Sequence, residues 1–121
     1  MTVRILIVDD DADFCDSLAD ILRHYGYDCL CVHDGTAALD TIRNFGRPNV
    51  ILLDLGLPDM HGLEFRRRQL ADDAISDIPV IVISGQHLPG HWRHQLLAVE
   101  YFSKPVAIGA LVVAIAAIGS S

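Results

Sequence analysis

Short apolar runs alternate along the chain with segments whose apolar residues recur at helical spacing. The runs are rich in β-branched residues and predict strands at 3–8, 49–53 and 79–83, with weaker ones at 29–32 and 101–102. Strands that are apolar on both faces and alternate with helices indicate a parallel sheet covered by helices on each side. Because the crossovers are right-handed, we expect an α/β, doubly wound, five-stranded sheet. We assign it the strand order 2-1-3-4-5, which is a common order in such sheets.

The helical segments carry their own stop signals. The first pattern, which begins near Phe14, ends at Gly26, and the second ends at Gly46. Glycine just past the last periodic residue is typical of a helix C-terminus. We also expect Asp11 or Asp13 to cap the first helix.

Composition limits the class of protein. The chain has 121 residues, of which 51 % are hydrophobic, so we expect one globular domain spanning 1–121. A formal charge of -7 argues against direct nucleic-acid binding. The start of the chain lacks the pattern of a secretory signal, which leads us to expect a cytoplasmic protein without membrane contact. Three cysteines lack metal-ligand or redox spacing and are expected to pack in the core: Cys15, Cys29 and Cys31.

Polar residues stand at the ends of four of the five predicted strands. The first strand ends at Asp9 and Asp10, the third at Asp54, the fourth at Ser84 and the fifth at Lys104. Parallel strands point their carboxyl ends to one edge, and ligands bind where neighbouring strands diverge. Carboxylates gathered there repel one another unless a cation sits among them, and a few carboxylates without His or Cys suit Mg²⁺. The sequence therefore predicts a Mg²⁺ site between the first and third strands.

Four motifs in this order resemble the receiver domain of bacterial two-component response regulators. They are VDDD (8–11), LLDLGLPDMHG (52–62), VISG (82–85) and YFSKP (101–105). The resemblance covers about 3–118 and implies the flavodoxin-like receiver fold, a cis peptide bond before Pro105, and a sensor histidine kinase or phosphotransfer protein as partner.

The resemblance also implies roles for individual residues. Asp54 would be the phosphoacceptor, Ser84 the switch hydroxyl, Lys104 the ligand of the phosphoryl group and Tyr101 the switch aromatic. The implied metal ligands are Asp10, Asp54 and the carbonyl of Gly56, with Asp9 acting through water. Lys104 is the only lysine in the chain, since the other eight basic residues are arginines. A compact ammonium at a site that neutralises a phosphoryl group fits that chemistry.

The expected function is a phosphoacceptor switch and not an enzyme with an external product. Two other functions remain open. A degenerate receiver would keep the fold and act as an unphosphorylated scaffold. An aspartyl-phosphate phosphohydrolase would need an acid two residues after the nucleophile, where this chain has Gly56.

Several features depart from the family pattern or have no assigned role. Ser84 and Lys104 are 20 positions apart, about two fewer than in most receivers, so we expect a short or distorted fourth helix. The arginine run 66–68 is expected to be a solvated face. Three histidines are expected to lie in a solvated segment and not in a metal site: His87, His91 and His94. His61 has no assigned role.

The closing segment 106–119 has no charged residue. Ile108, Leu111, Ile115 and Ile118 recur at helical spacing and would dock the helix on the sheet. That leaves Val113 and its neighbours on flanks where soluble helices usually carry charges. The segment is too short to span a bilayer, so we expect it to mediate self-association or to dock a missing effector domain.

Overall fold

The computed structural model describes residues 2–86 and 88–119, which form one five-stranded parallel sheet with five helices. The strand order is β2-β1-β3-β4-β5, as the sequence predicted. The elements in chain order are β1 Arg4–Val8, α1 Ala12–His24, β2 Asp28–Val32, α2 Gly35–Asn44, β3 Val50–Leu53, α3 Gly62–Leu70, β4 Val80–Ser84, α4 Gly90–Leu96, β5 Glu100–Ser103 and α5 Ile108–Gly119.

The helices form a layer on each face of the sheet because the strands are apolar on both faces. Alternate residues of β1, such as Leu6 and Val8, pack with α2, α3 and the end of α4. The residues between them, such as Ile5 and Ile7, pack with α1 and α5. β1, β3 and β4 are buried along most of their length, so the polar residues that follow them are held by rigid elements.

The helix ends follow their sequence signals. The side chain of Asp11 accepts a hydrogen bond from the Phe14 N–H and caps α1. Gly26 and Gly46 have φ angles of 92° and 115°, a left-handed backbone that favours glycine, and each follows the last turn of its helix. The expected short fourth helix is confirmed, because α4 has only seven residues.

The expectation of a solvated arginine run is wrong for Arg66. Its side chain is 5 % exposed, whereas Arg67 and Arg68 are exposed and pair with Glu64. Arg66 lies on the face of α3 that meets α4, where its guanidinium finds three acceptors. A buried charge with enough acceptors is tolerated, and no periodic pattern in the sequence shows those acceptors.

The cysteines are free thiols, with Cys15 and Cys29 buried and Cys31 partly buried. Burial raises the pKa of Cys15, and the pKa of Cys29 is raised to about 11 for the same reason, which fits a packing role. In the described part of the chain, no helix is long and apolar enough to cross a membrane. His87 lies outside the described residues, while His91 and His94 are exposed on α4.

Candidate functional site

Strand register brings the predicted acidic residues together at the carboxyl edge of the sheet. Val8 of β1 is paired with Leu53 of β3, so the next residues, Asp9 and Asp54, stand side by side. The Asp54 N–H donates to the Val8 carbonyl at 2.9 Å, which continues the strand ladder to the site itself. The position of both carboxylates therefore depends on a buried ladder.

Asp9, Asp10 and Asp54 form one cluster in which an oxygen of each carboxylate lies within 4.8 Å of the others. Asp9 and Asp54 are buried, and Asp10 is exposed. Burial raises the pKa of Asp54, the negative charge of Asp9 raises it further, and Lys104 opposes both. Three oxygen donors without His or Cys fit a hard divalent cation such as Mg²⁺.

Lys104 supplies the positive charge of the site. Its Nζ lies 2.7 Å from Asp9 Oδ2 and 4.0 Å from Asp54 Oδ1. Burial acts to lower the pKa of Lys104, but the hydrogen bond to Asp9 and the charge of Asp54 outweigh it, so the pKa is raised. The Lys104 N–H donates to the Ser84 carbonyl, and the peptide bond to Pro105 is cis, as expected.

Ser84 ends β4 and is buried, 4 % exposed, next to the same edge. Its Oγ accepts a hydrogen bond from the Gln86 N–H at 3.1 Å. The Gln86 side chain reaches over Gly56: a Cβ added to Gly56 would lie 2.9 Å from Gln86 Nε2 and 3.8 Å from Asp54 Oδ2. The Gln86 amide thus occupies the space beside Asp54 that a side chain at position 56 would fill.

Tyr101 is on β5, where it pairs with Val82, and its side chain is partly buried. The Tyr101 Oη accepts from the Ala98 N–H and donates to the Arg93 carbonyl, both at 3.1 Å. The Arg93 guanidinium lies over the Tyr101 ring, 4.3 Å from its centre. These contacts hold the ring against the end of α4, so a rotation of Tyr101 must break two hydrogen bonds.

The structure adds two residues that the sequence prediction missed at or beside this edge. His33 follows β2, the strand that had no predicted site residue, and its Nδ1–H donates to the Asp9 carbonyl at 2.9 Å. Asp59 accepts from the N–H groups of Gly35 and Thr36 and from the Thr36 hydroxyl at the start of α2. Slight burial acts to raise the pKa of Asp59, but these hydrogen bonds outweigh it and lower the pKa to about 2. The sequence around Asp59 has no local pattern that would predict its contact with the start of α2.

His61, which had no assigned role, is the N-cap of α3. Its Nδ1 accepts from the Leu63 N–H at 3.1 Å, and its ring meets Trp92 of α4 edge to face at 4.8 Å. Among the described residues, its Nε2 is the buried side-chain nitrogen without a hydrogen-bond partner. His61 therefore joins the loop after Asp54 to α4.

Comparison with known proteins gives a consistent picture. Residues 5–116 match the family model of the response regulator receiver domain. The chain is 41 % identical to the DNA-binding response regulator MtrA of Mycolicibacterium paratuberculosis and to the response regulator MprA of Mycobacterium bovis. Each match extends over 86 residues, which are 71 % of this chain and 36 % of the relative. The chain thus spans about a third of the length of the curated relatives it matches.

Solved structures show the same fold. A CheY-like receiver domain protein from Methanospirillum hungatei is 31 % identical, with a TM-score of 0.83 over 93 % of this chain and 89 % of that one. A sensor protein from Polaromonas is 27 % identical, with a TM-score of 0.88 over 98 % of this chain and 97 % of that one. Given the strand order, the acidic edge and the match over 5–116, the chain belongs to the response regulator receiver domain family of two-component signal transduction.

Proposed function

We propose that residues 1–121 form one phosphoacceptor domain in which Asp54 takes a phosphoryl group from the phosphohistidine of a sensor kinase or phosphotransfer protein. The observation that carries this proposal is the cluster of three carboxylates with a single ammonium among them. Asp9 and Asp54 are both buried near Lys104, but Asp9 is already paired with that lysine at 2.7 Å, whereas Asp54 lies 4.0 Å from it and is not paired as closely. The acceptor is therefore Asp54.

Asp10, Asp54 and the carbonyl of Gly56 would hold a Mg²⁺ ion, with Asp9 contributing through water. When bound, the ion supplies positive charge that offsets the charges of the carboxylates and of the incoming phosphoryl group. The carboxylates of Asp9, Asp10 and Asp54 fit such an ion, because one oxygen of each lies within 4.8 Å of the others.

The chain's own residues then perform the transfer. An Asp54 Oδ forms a bond to phosphorus while the phosphorus–nitrogen bond of the donor breaks, and the imidazole leaves with the electron pair. The Lys104 ammonium contacts the phosphoryl oxygens as charge develops on them. The signal ends by hydrolysis: water attacks phosphorus, Asp54 leaves as a carboxylate, and inorganic phosphate is released.

Incubation with Mg²⁺ and acetyl phosphate tests the proposal. We expect the intact protein to gain the mass of one phosphoryl group, and Asp54→Asn to gain none. Lys104→Ala should bind Mg²⁺ and react much more slowly. A wild-type protein that gains no mass under these conditions would favour the scaffold alternative, in which the fold acts without phosphorylation.

The output of the switch is the surface formed by α4, β5 and α5. Phosphorylation would draw the Ser84 hydroxyl toward the new oxygens and let Tyr101 rotate inward, away from Ala98 and Arg93. A structure of the beryllofluoride-bound protein tests this coupling, since beryllofluoride stands in for the phosphoryl group. Ser84 and Tyr101 in unchanged rotamers would show that the coupling is absent.

The partners follow from this role. The curated relatives named above are the response regulators MtrA and MprA, and MtrA is a DNA-binding one. With a formal charge of -7, residues 1–121 act as the input of such a system and do not contact nucleic acid themselves. A cytoplasmic location and no membrane contact complete the proposal.

A further inference from the structure

Lys104 has a third neighbour besides Asp9 and Asp54. Its Nζ lies over the face of the Phe14 ring, 4.2 Å from the centre. Phe14 stands in the first turn of α1, where its N–H donates to the capping side chain of Asp11. A cation over the face of an aromatic ring at this distance is attracted by the ring's quadrupole.

The contact between Lys104 and Phe14 lies in an apolar groove. Phe14 and Lys104 line one groove of about 480 Å³, and the other residues that line it are Ser17, Leu18, Ile21, Pro105, Val106 and Ile108. No lining residue apart from Lys104 is charged. The ammonium, whose side chain is 24 % exposed, therefore has carboxylates on one side and the Phe14 ring in an apolar groove on the other.

We propose that Phe14 is a positioning residue for phosphoryl transfer: its ring holds the Lys104 ammonium beside Asp54, where the phosphoryl group arrives. This inference rests on the proposed function of Asp54. A lysine side chain loses considerable rotamer freedom when it is ordered. Because the ring restricts the side chain before the donor binds, less of that loss falls in the transition state.

The contact itself can be measured without metal or phosphate. Lys104 is the only lysine, so protein labelled with ¹³C-lysine gives one lysine spin system. We expect its ε-methylene protons to be shifted upfield by the Phe14 ring and to move toward the free-lysine position in Phe14→Leu. Phe102→Leu is the matched control, because Phe102 is also partly buried, lies two residues from Lys104 and packs in the α1–α5 core.

The positioning role is measured as the rate of phosphorylation by acetyl phosphate, a donor that docks on no protein surface. Phe14→Leu should react about twofold to fivefold more slowly, the range that a cation–π contact of this exposure supports. Phe14→Tyr should restore the rate. Phenylalanines with one, two and three ring fluorines at position 14 keep the shape but weaken the ring face, and the rate should fall along that series.

Three results would overturn the proposal: a lysine signal that Phe14→Leu does not move, a Phe14→Leu rate equal to that of wild type, or a rate that fluorination leaves unchanged. If the wild-type protein takes no phosphoryl group at all, the proposed function of Asp54 fails and the positioning role fails with it. If wild type is phosphorylated at Asp54 and the fluorinated series is flat, only the role of Phe14 fails.

Discussion

The acidic site and the α4 segment (88–99) are held in different ways. In the acidic site, Asp9 and Asp54 follow buried, paired strands, and the side chains keep the positions that the ladder gives them. The α4 segment has a seven-residue helix, Gly90–Leu96, and the capping residue Leu97 has a left-handed φ of 51°. That helix lies outside the sheet, so side chains from other elements must hold it.

Arg66 provides support of this kind at the end of the helix. Its Nε donates to the Leu96 carbonyl at 2.6 Å, and its Nη2 donates to the Leu97 carbonyl at 3.1 Å. Its Nη1 donates to Gln69 Oε1, and the amide of Gln69 donates to the carbonyls of Ile75 and Ile78. The last carbonyls of a helix have no partner within the helix, so a buried guanidinium substitutes for a longer last turn. The comparison shows that strand ends position the acidic residues, whereas long-range hydrogen bonds position the α4 segment.

Removal of this guanidinium should have the largest effect. We expect Arg66→Ala to lower the free energy of unfolding by about 2–3 kcal/mol, because three acceptors, two of them in buried hydrogen bonds, lose their donor. Arg67→Ala is the matched control on the same helix; Arg67 is exposed, and its loss should cost less than about 0.5 kcal/mol. Urea unfolding of both variants measures the difference.

The same pair of variants separates the two regions. Arg66→Ala should still take a phosphoryl group at Asp54, since the acidic site depends on β1 and β3 and not on α4. An Arg66→Ala protein as stable as Arg67→Ala would show that the α4 segment is held by other contacts. Arg66→Met, which fills the space without a donor, should remain less stable than wild type.

This difference also explains what the sequence could and could not predict. The acidic edge and the two helix ends at Gly26 and Gly46 follow from local patterns, whereas the strand order follows from fold-level rules and the short α4 from the spacing in other receivers; the structure confirms all four. The burial of Arg66 and the contact between His61 and Trp92 join residues about 30 positions apart. Each depends on how α3 meets α4, which no periodicity within either segment specifies.

Removal of the Asp54 charge should stabilise the protein, whereas removal of the Arg66 charge should destabilise it. Burial and Asp9 raise the pKa of Asp54, so the folded protein binds that proton more tightly than the unfolded chain does. The resulting penalty is absent below the unfolded pKa of about 4 and complete above the folded pKa. We therefore expect Asp54→Asn to raise the free energy of unfolding at pH 7 without Mg²⁺, with the gain vanishing as the pH falls toward 4.

Asp59→Asn provides the control for this sign. The pKa of Asp59 is lowered to about 2 by its hydrogen bonds to the start of α2, so its stabilising contribution is present above about pH 4 and is lost as the pH falls toward 2. Asp59→Asn should destabilise the protein at pH 7. If Asp54→Asn also destabilises it there, the acidic site is not strained by repulsion.

A smaller effect, on the lifetime of the phosphoryl group, is expected at Gln86, which lies between the acidic site and the α4 segment. Its amide shields Asp54 on the side that Gly56 leaves open, so Gln86→Ala should speed the loss of the phosphoryl group about threefold, or roughly 0.7 kcal/mol in barrier. The decay of phosphorylated protein after removal of acetyl phosphate measures the rate. Gly56→Ala combined with Gln86→Ala should recover part of the lifetime, because the new methyl group takes up the space that the amide leaves. A rate within about twofold of wild type in Gln86→Ala would contradict the shielding role.

The weakest expected effect concerns contacts of α5 with a second molecule. Leu111 and Ile115 dock α5 on the sheet, and Ile108 and Ile118 pack partly buried at the edge of the same core. Val113 is 69 % exposed on the opposite side. Since exposed apolar surface on an uncharged helix favours protein contact, we propose that α5 mediates self-association or docks an effector domain.

Sedimentation over a wide concentration range, with and without beryllofluoride, should show a dimer that Val113→Glu weakens. The matched control is Val99→Glu, since Val99 is similarly exposed, at 54 %, but lies before β5 and not on α5. A wild-type protein that stays monomeric in both states would exclude self-association and leave the effector domain as the occupant of α5, whereas equal weakening by both substitutions would place the contact on the wider α4–β5–α5 surface.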